Sequence, residues 1–283
     1  MFSPKKTDKS ETKSQADLIY EAQVRAKQQF SLGVAATWIV LLLILAFLFS
    51  DFKFSWGALS IKTIHLDKAF IQENVAFIVS GAGVTIGISV LSILLATILA
   101  LLAALGRLSK FPPIYTISTF YVSLIRGTPL YLQIFFFFLA LPQVGIVLPG
   151  FWAGVLALSL NYGAYMSEIF RAALSSVGKG QREAALAIGM TPGQTMRRIV
   201  IPQALRFAIP PTGNEFIAML KDSALVSATG FVHELMWRAT KVGRAQFHNL
   251  EALIVAAVFY WIMTLVFSYF QNLLETRMSR GER

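Results

Sequence analysis

The run GVAATWIVLLLILAFLF at residues 33–49 carries no charge and is just long enough to cross a bilayer as a helix. Five later stretches are also predominantly apolar: 75–105, 112–141, 151–174, 207–232 and 250–272. A chain with six such runs folds in lipid, where only helices and closed barrels satisfy the backbone. The expected fold is therefore an all-α polytopic membrane protein with about six transmembrane helices. A cleavable leader is the competing reading of the first run. The polar stretch before it is long and no small-residue cleavage site follows, which favours an uncleaved span.

Composition agrees. Hydrophobic residues make up 55% of the chain and charged residues 14%, against about 25% charged in soluble domains. The net charge of +10 would suit nucleic acid, but its placement beside the apolar runs suits membrane anchoring instead. The chain has no Cys, so disulfides, thiol catalysis and Cys-based metal sites are excluded. His65, His233 and His248 lie far apart, without metal-ligand spacing. No Gly-rich phosphate loop ending in Lys-Ser/Thr is present and no Ser has a credible His-acid partner, so the chain is read as non-enzymatic.

Charge also sets the orientation. With the N-terminus in the cytosol, the outer segments hold Lys53, Lys62, Lys68, Arg238, Lys241 and Arg244. Arg126 and Lys221 fall inside spans, and all other lysines and arginines lie on the cytosolic side. Both termini are then cytosolic. The expected organisation is a basic tail over 1–32, a first span over 33–50, an outer loop over 51–74, a helical core over 75–274 and a short tail over 275–283. Residues 16–30 of the tail are expected to turn helical. Gly83 and Gly87 form a GxxxG pattern, read as helix packing.

One polar island interrupts the core. Gln181–Ile188 is alanine-rich and reads as a short helix ending at Gly189. Thr191, Pro192 and Gln194 then read as N-cap, first helical residue and third position of a capping box. A second short helix with Arg197 and Arg198 follows, stopped at Pro202. Two capped helices around a tight turn make a rigid knob on the cytosolic side, within 177–206, suited to a soluble partner.

Polar residues also enter the spans, where they are expensive unless they face a cavity or a partner. Asn161, Tyr165 and Glu168 recur at helical spacing on the fourth, beside Tyr162. On the fifth, Asn214 and Lys221 share a face, as do Glu215 and Asp222. Thr128 and Gln133 add polar groups to the third. Arg126-Gly127-Thr128-Pro129 implies a kink or unwound turn there, with Arg126 about 22 Å along a straight helix from the outer end at Leu141. Two readings stay open: a polar pocket suited to a zwitterion, or charge pairs such as Glu168–Arg171 and Lys221–Asp222 that hold the fold together.

The spaced set Glu183-Ala184-Ala185, Gly189, Ile199 and Ile201-Pro202 resembles the EAA loop of ABC importer permeases, with Ile201 where that loop generally has Leu. The rest of the chain from about Val75 is similar to permeases of the polar amino acid uptake family, of the histidine/glutamine/arginine type. The matching residues are Arg126-Gly127-Thr128-Pro129, Ala164-Tyr165, Glu168-Ile169, Arg171, Lys179-Gly180-Gln181, Ile201-Pro202-Gln203-Ala204-Leu205-Arg206, Pro210, Asn214 and Lys221-Asp222-Ser223. Ser223-Ala224 stands where the family commonly has Thr-Ser, and Ser167 where it often has Ala.

The resemblance implies a five-helix type I importer core in a bacterial inner membrane, preceded by one extra helix. It implies a second permease subunit, identical or related, and two cytosolic ATP-binding subunits that hold ATP and Mg. It also implies a periplasmic or lipid-anchored binding protein delivering a polar amino acid. Glu183, Ala184, Ala185, Gly189, Ile199 and Pro202 would couple to the ATPase. Arg126, Thr128, Gln133, Asn161, Tyr162, Tyr165, Glu168, Asn214, Lys221, Asp222 and Ser223 are the pathway candidates. Alternatives are the same transporter type for an opine, sulfur compound or organic amine, and a membrane scaffold or sensor that recruits a cytosolic partner. No cofactor is expected in this chain, and no nucleic acid.

Overall fold

The computed structural model describes residues 15–56 and 59–279. The chain divides at Leu66 and Asp67 into two units. In the first, helix α1 (Gln15–Leu48) joins the charged segment and the apolar run without a break. The helix expected near residues 16–30 is present as its first half, while the tail before Gln15 lies outside the described residues. At 34 residues, or about 51 Å, α1 is longer than a bilayer requires. The expected loop after it contains a small antiparallel hairpin, β1 (Lys53–Trp56) and β2 (Leu59–Lys62), with Lys53 opposite Lys62. Among the described residues, the otherwise helical chain thus carries one short two-stranded element.

The second unit begins with α2 (Lys68–Val79), seven residues earlier than the apolar pattern suggests, because Asp67 caps it by accepting from the Phe70 N–H. Helix α3 (Ala82–Arg107) follows a break at Ser80-Gly81. Its 26 residues rise about 39 Å, enough by themselves for the ~30 Å hydrocarbon layer. Helix α2 is therefore surplus to the span. With α10 (Leu235–Gln246) and the first turns of α11 (Asn249–Ser279), it forms a cap with its own core of Phe70, Ile78, Leu235, Ala239, Ala252 and Val255. Gly81 lets α10 approach, since a Cβ there would stand 2.7 Å from the Leu235 nitrogen. The buried Glu234 carboxylate caps α10, accepting from the Met236 and Trp237 N–H groups and from the Tyr260 hydroxyl at 2.8 Å.

The main core is built on α3 and α6 (Gly150–Ser176), which run parallel with small residues between them. Ala96, Ala100 and Ala104 of α3 are fully buried, as are Ala157 and Leu158 of α6, and the Ser92 hydroxyl donates to the Val155 carbonyl. Small side chains allow this approach in lipid. Gly83 and Gly87 do not take part: a Cβ at either would meet nothing within 4 Å. The close contact is instead at Gly163, where a Cβ would lie 2.7 Å from the Tyr121 hydroxyl and 2.9 Å from Leu99. Gly163→Ala is expected to cost about 1–3 kcal/mol, as overpacking does, and to lower the thermal midpoint in detergent. Gly87→Ala should leave that midpoint unchanged.

The third apolar run bends more sharply than a kink. Helices α4 (Pro112–Arg126) and α5 (Leu130–Phe135) meet at 105° across Gly127-Thr128-Pro129. The straight-helix rise from Arg126 to Leu141 therefore does not apply. A wide turn at Phe136–Ala140 and a tight one at Leu141–Val144 complete the run.

The fifth run also differs. Helix α9 (Ile201–Asp222) starts before Phe207 and contains Pro210 and Pro211 in its interior. Pro202 begins this helix rather than ending the previous one, because proline is tolerated in a first turn. Beyond Asp222 the chain tightens into a 3₁₀ turn ending at Gly230. The Gln271 amide of α11 donates to the Pro210 carbonyl at 2.7 Å, reaching α9 where Gly213 has no side chain. Among the described residues, α1, the α2–α3 segment and α11 suffice by length and composition to cross a membrane, and the bent run of α4 and α5 adds a fourth if it counts as one span. The other two expected spans, α6 and α9, are 27 and 22 residues long and carry the intramembrane polar groups.

Candidate transport pathway and coupling knob

The bend between α4 and α5 frees backbone carbonyls, and Gln133 meets them. Its amide nitrogen lies 2.9 Å from the Ile125 carbonyl and 3.1 Å from that of Thr128, while its oxygen accepts from Asn161 at 3.2 Å. This is how unwound backbone persists at membrane depth. The bend opens a cavity of about 330 Å³ lined by Thr128, Pro129, Leu130, Asn161, Tyr162, Tyr165, Glu215 and Asp222. The Tyr162 hydroxyl donates to Asp222 at 2.7 Å across α6 and α9. One wall is thus acidic. Behind the Tyr165 ring stands a cation, the Arg126 guanidinium, 5.1 Å from the ring centroid.

Arg126 is one of three arginines on Glu168. Arg107 Nη1 lies 2.6 Å from one carboxylate oxygen and Arg126 Nη1 3.2 Å from the same atom, with Arg171 Nε 2.9 Å from the other. The cluster ties α3, α4 and α6 together and retains a surplus of positive charge beside the cavity.

The pathway candidates therefore separate. Thr128, Asn161, Tyr162, Tyr165 and Asp222 line the cavity, and Gln133 and Arg126 stand one contact behind it. Glu168 belongs to the arginine cluster. Asn214 is exposed away from the cavity, and Lys221 lines a different groove with Tyr260 and Trp261. Ser223 is buried, its hydroxyl on the Leu220 carbonyl. Glu215 is the polar lining residue absent from the candidate set, although its seven-residue spacing from Asp222 marked it. Among the described residues no three His, Cys, Asp or Glu side chains converge on a metal site.

The knob has the expected local chemistry. Helix α7 (Lys179–Ala187) ends with the Ile188, Gly189 and Met190 N–H groups donating to Ala184, Leu186 and Ala185 carbonyls, and Gly189 takes φ 84°. Helix α8 (Pro192–Thr195) opens on a complete capping box: Gln194 N–H donates to the Thr191 hydroxyl and Thr191 N–H to the Gln194 side chain. Arg182 reaches from α7 to the Leu174 carbonyl of α6. The second helix does not stop. A wide turn over Met196–Val200 carries it into α9. Glu183, Ala184 and Pro202 are exposed, Ile199 is half-buried and Ala185 is buried. Ile188 is 79% exposed, an apolar side chain at the turn that the spacing pattern left unassigned.

A bundle of polar-studded helices around a small cavity, with a capped turn running into two of them, is the architecture of a transport subunit. The chain belongs to the family of binding-protein-dependent transport system inner membrane components, whose pattern matches residues 96–280. It is 37% identical over 220 residues to the arginine transport system permease protein ArtQ of Bacillus subtilis (strain 168), covering 77% of this chain and all of ArtQ. It is 42% identical to the L-cystine transport system permease protein TcyB of the same organism, over 74% of this chain and 90% of TcyB. The glutamine transport system permease protein GlnP of Escherichia coli (strain K12) is 36% identical over 76% of this chain and 99% of GlnP. A crystal structure of an amino acid ABC transporter with histidines superposes with TM-score 0.70 at 37% identity, over 76% of this chain and all of that one. The MetNI methionine ABC transporter in an inward-facing form shares the fold, with TM-score 0.59 at 17% identity over 75% of this chain and 99% of its own.

Proposed function

We propose that this chain is the membrane-spanning permease subunit of an ATP-driven importer for a polar amino acid, with the knob in the cytosol. The observation that carries the reading is a cavity with carboxylates on one wall and a guanidinium behind another, set between helices that lead into the knob. An α-ammonium group would sit against Glu215 and Asp222 while an α-carboxylate turns toward Arg126. Transport in an arginine, a cystine and a glutamine relative supports that substrate class. Two cytosolic subunits would bind ATP and Mg, seat the knobs of this chain and of a second permease subunit, and swing the lining helices as they close. An extracytoplasmic binding protein would deliver the amino acid.

The test is ATP hydrolysis by the complex purified through this subunit, with binding protein and a panel of amino acids. Stimulation by one or a few polar amino acids is expected. An ATPase that no amino acid stimulates would move the substrate elsewhere, and absence of any ATPase would favour a scaffold. The paired acids on the cavity wall favour a second reading in which the solute is an organic amine, and the same panel extended to amines decides it. Tyr162→Phe removes the donor that fixes Asp222. It should raise the half-saturating substrate concentration about tenfold, the equivalent of ~1.4 kcal/mol, with membrane levels unchanged.

A further inference from the structure

Glu168 holds more cations than its charge requires. Arg107 serves one of its oxygens at 2.6 Å and Arg171 the other at 2.9 Å. With those two in place the carboxylate is paired at both atoms. Arg126, which shares the first oxygen at 3.2 Å, is surplus. The three also differ in what they join. Arg171 sits three residues from Glu168 on the same helix and ties α6 to nothing else. Arg107 ties α6 to α3, on which it is already packed through Ala96, Ala100 and Ala104. Of the three, only Arg126 ties α6 to the end of α4, at the edge of the 105° bend. Earlier on α4 the Tyr121 hydroxyl holds the same pair of helices, donating to the Leu160 carbonyl at 2.7 Å.

The surplus guanidinium has a track to move along. Asn161, Tyr165 and Glu168 form one stripe on α6, and the first two line the cavity. Arg126 lies 5.1 Å over the Tyr165 ring, so on leaving Glu168 it keeps its aromatic contact as it slides toward the cavity. From Glu168 to Tyr165 the helix rises only about 4.5 Å, within reach of an arginine side chain that is 42% exposed. Among the described residues Arg126 pairs with Glu168 and with neither cavity acid, Glu215 or Asp222. The other end of the stripe leads to the knob, because Arg182 of α7 donates to the Leu174 carbonyl of α6. Helices α6 and α7 are thereby joined into one arm.

We propose that Arg126 reports cavity occupancy to the knob. The α-carboxylate of an amino acid draws it from Glu168, α4 parts from α6 at the bend, and the α6–α7 arm gains the freedom that the ATP-driven stroke uses. Arg107 and Arg171 keep Glu168 paired throughout. The exchange trades one charge pair for another, so a ligand's preference for one arrangement is enough to tip it. The inference rests on the importer reading above and adds how an occupied cavity is sensed.

The test is ATP hydrolysis by the full complex in vesicles, with binding protein and a panel of polar amino acids. Arg126→Gln removes the tie, so the rate without amino acid should rise at least about fivefold, the lower end of ordinary coupling between sites. Amino acid should then add little to it. Arg171→Gln takes the same charge from the same carboxylate but frees no helix, and should keep the wild-type resting rate and stimulation. Arg126→Gln with a wild-type resting rate and only a raised half-saturating concentration would make Arg126 a ligand without a signal, and would overturn the proposal. An equal rise in both variants would overturn it too, by assigning the effect to charge alone. The chain has no Cys, so spin labels at Ser123→Cys on α4 and Ala172→Cys on α6, both exposed, read the parting directly with Arg126 in place. The amino acid that stimulates hydrolysis should shift their distance distribution before ATP is added. A wild type that no amino acid stimulates removes the importer reading and this inference together. A stimulated wild type whose labels keep their distance removes the relay alone.

Discussion

Gly189→Val should abolish amino acid uptake while the protein remains at normal levels in the membrane. Space is not the obstacle, since a Cβ at Gly189 meets nothing within 4 Å. The obstacle is φ 84°, which costs an L-residue roughly 1–2 kcal/mol and a β-branched one more. The chain relieves that cost by abandoning the turn, and α7 and α8 lose their fixed angle. Uptake should follow Gly > Asn > Ala > Val, because Asn tolerates the left-handed region. ATP hydrolysis measured beside uptake separates the outcomes. Hydrolysis continuing without transport fits a knob that seats but no longer transmits. If Gly189→Val transports normally, the turn is not the coupling element.

Glu168→Ala should have the second large effect, this time on the folded protein. Three guanidinium groups on α3, α4 and α6 share that one carboxylate, and removing it leaves them facing each other. Breaking a buried pair costs about 3–5 kcal/mol. Here Glu168 is 28% exposed and Arg126 and Arg171 are 42% exposed, so a loss on the order of 2 kcal/mol is expected after screening. A lowered thermal midpoint and reduced membrane yield would show it. Arg107→Ala, which removes one cation and leaves two, should be milder. Equal stability of Glu168→Ala and wild type would mean that the cluster holds nothing together.

Local chemistry in this chain was legible where a few neighbouring residues decide it. Thr191, Pro192 and Gln194 specify their capping box within four residues, and Gly189 specifies the turn before it. Glu215 and Asp222 share a helical face by spacing alone. What spacing cannot carry is the direction of a segment after a break. Gly127-Thr128-Pro129 announced a disruption, but a 105° bend depends on Gln133 satisfying the freed carbonyls while Asn161, on another helix, donates to the Gln133 side-chain oxygen. Likewise Pro202 and the Pro210-Pro211 pair look like boundaries to a local rule. The helix persists through them because a wide turn precedes it and Gln271 supports it from α11. Gly83 and Gly87 matched a packing pattern, whereas α3 uses a different face, decided by where α6 lies. Asn214 and Lys221 were grouped with the cavity by polarity, and the rotation of α9 turns them from it.

The run from Pro192 to Asp222 has a consequence as a mechanical part. Pro210 and Pro211 lack N–H groups, so two rungs of the α9 hydrogen-bond ladder are missing halfway along it. A column weakened in that way is compliant in bending but still stiff along its axis. If the knob receives thrust as proposed, that thrust would arrive at Glu215 and Asp222, whereas sideways rocking would be spent at the prolines. The acidic wall of the cavity would feel the stroke and be insulated from the jitter.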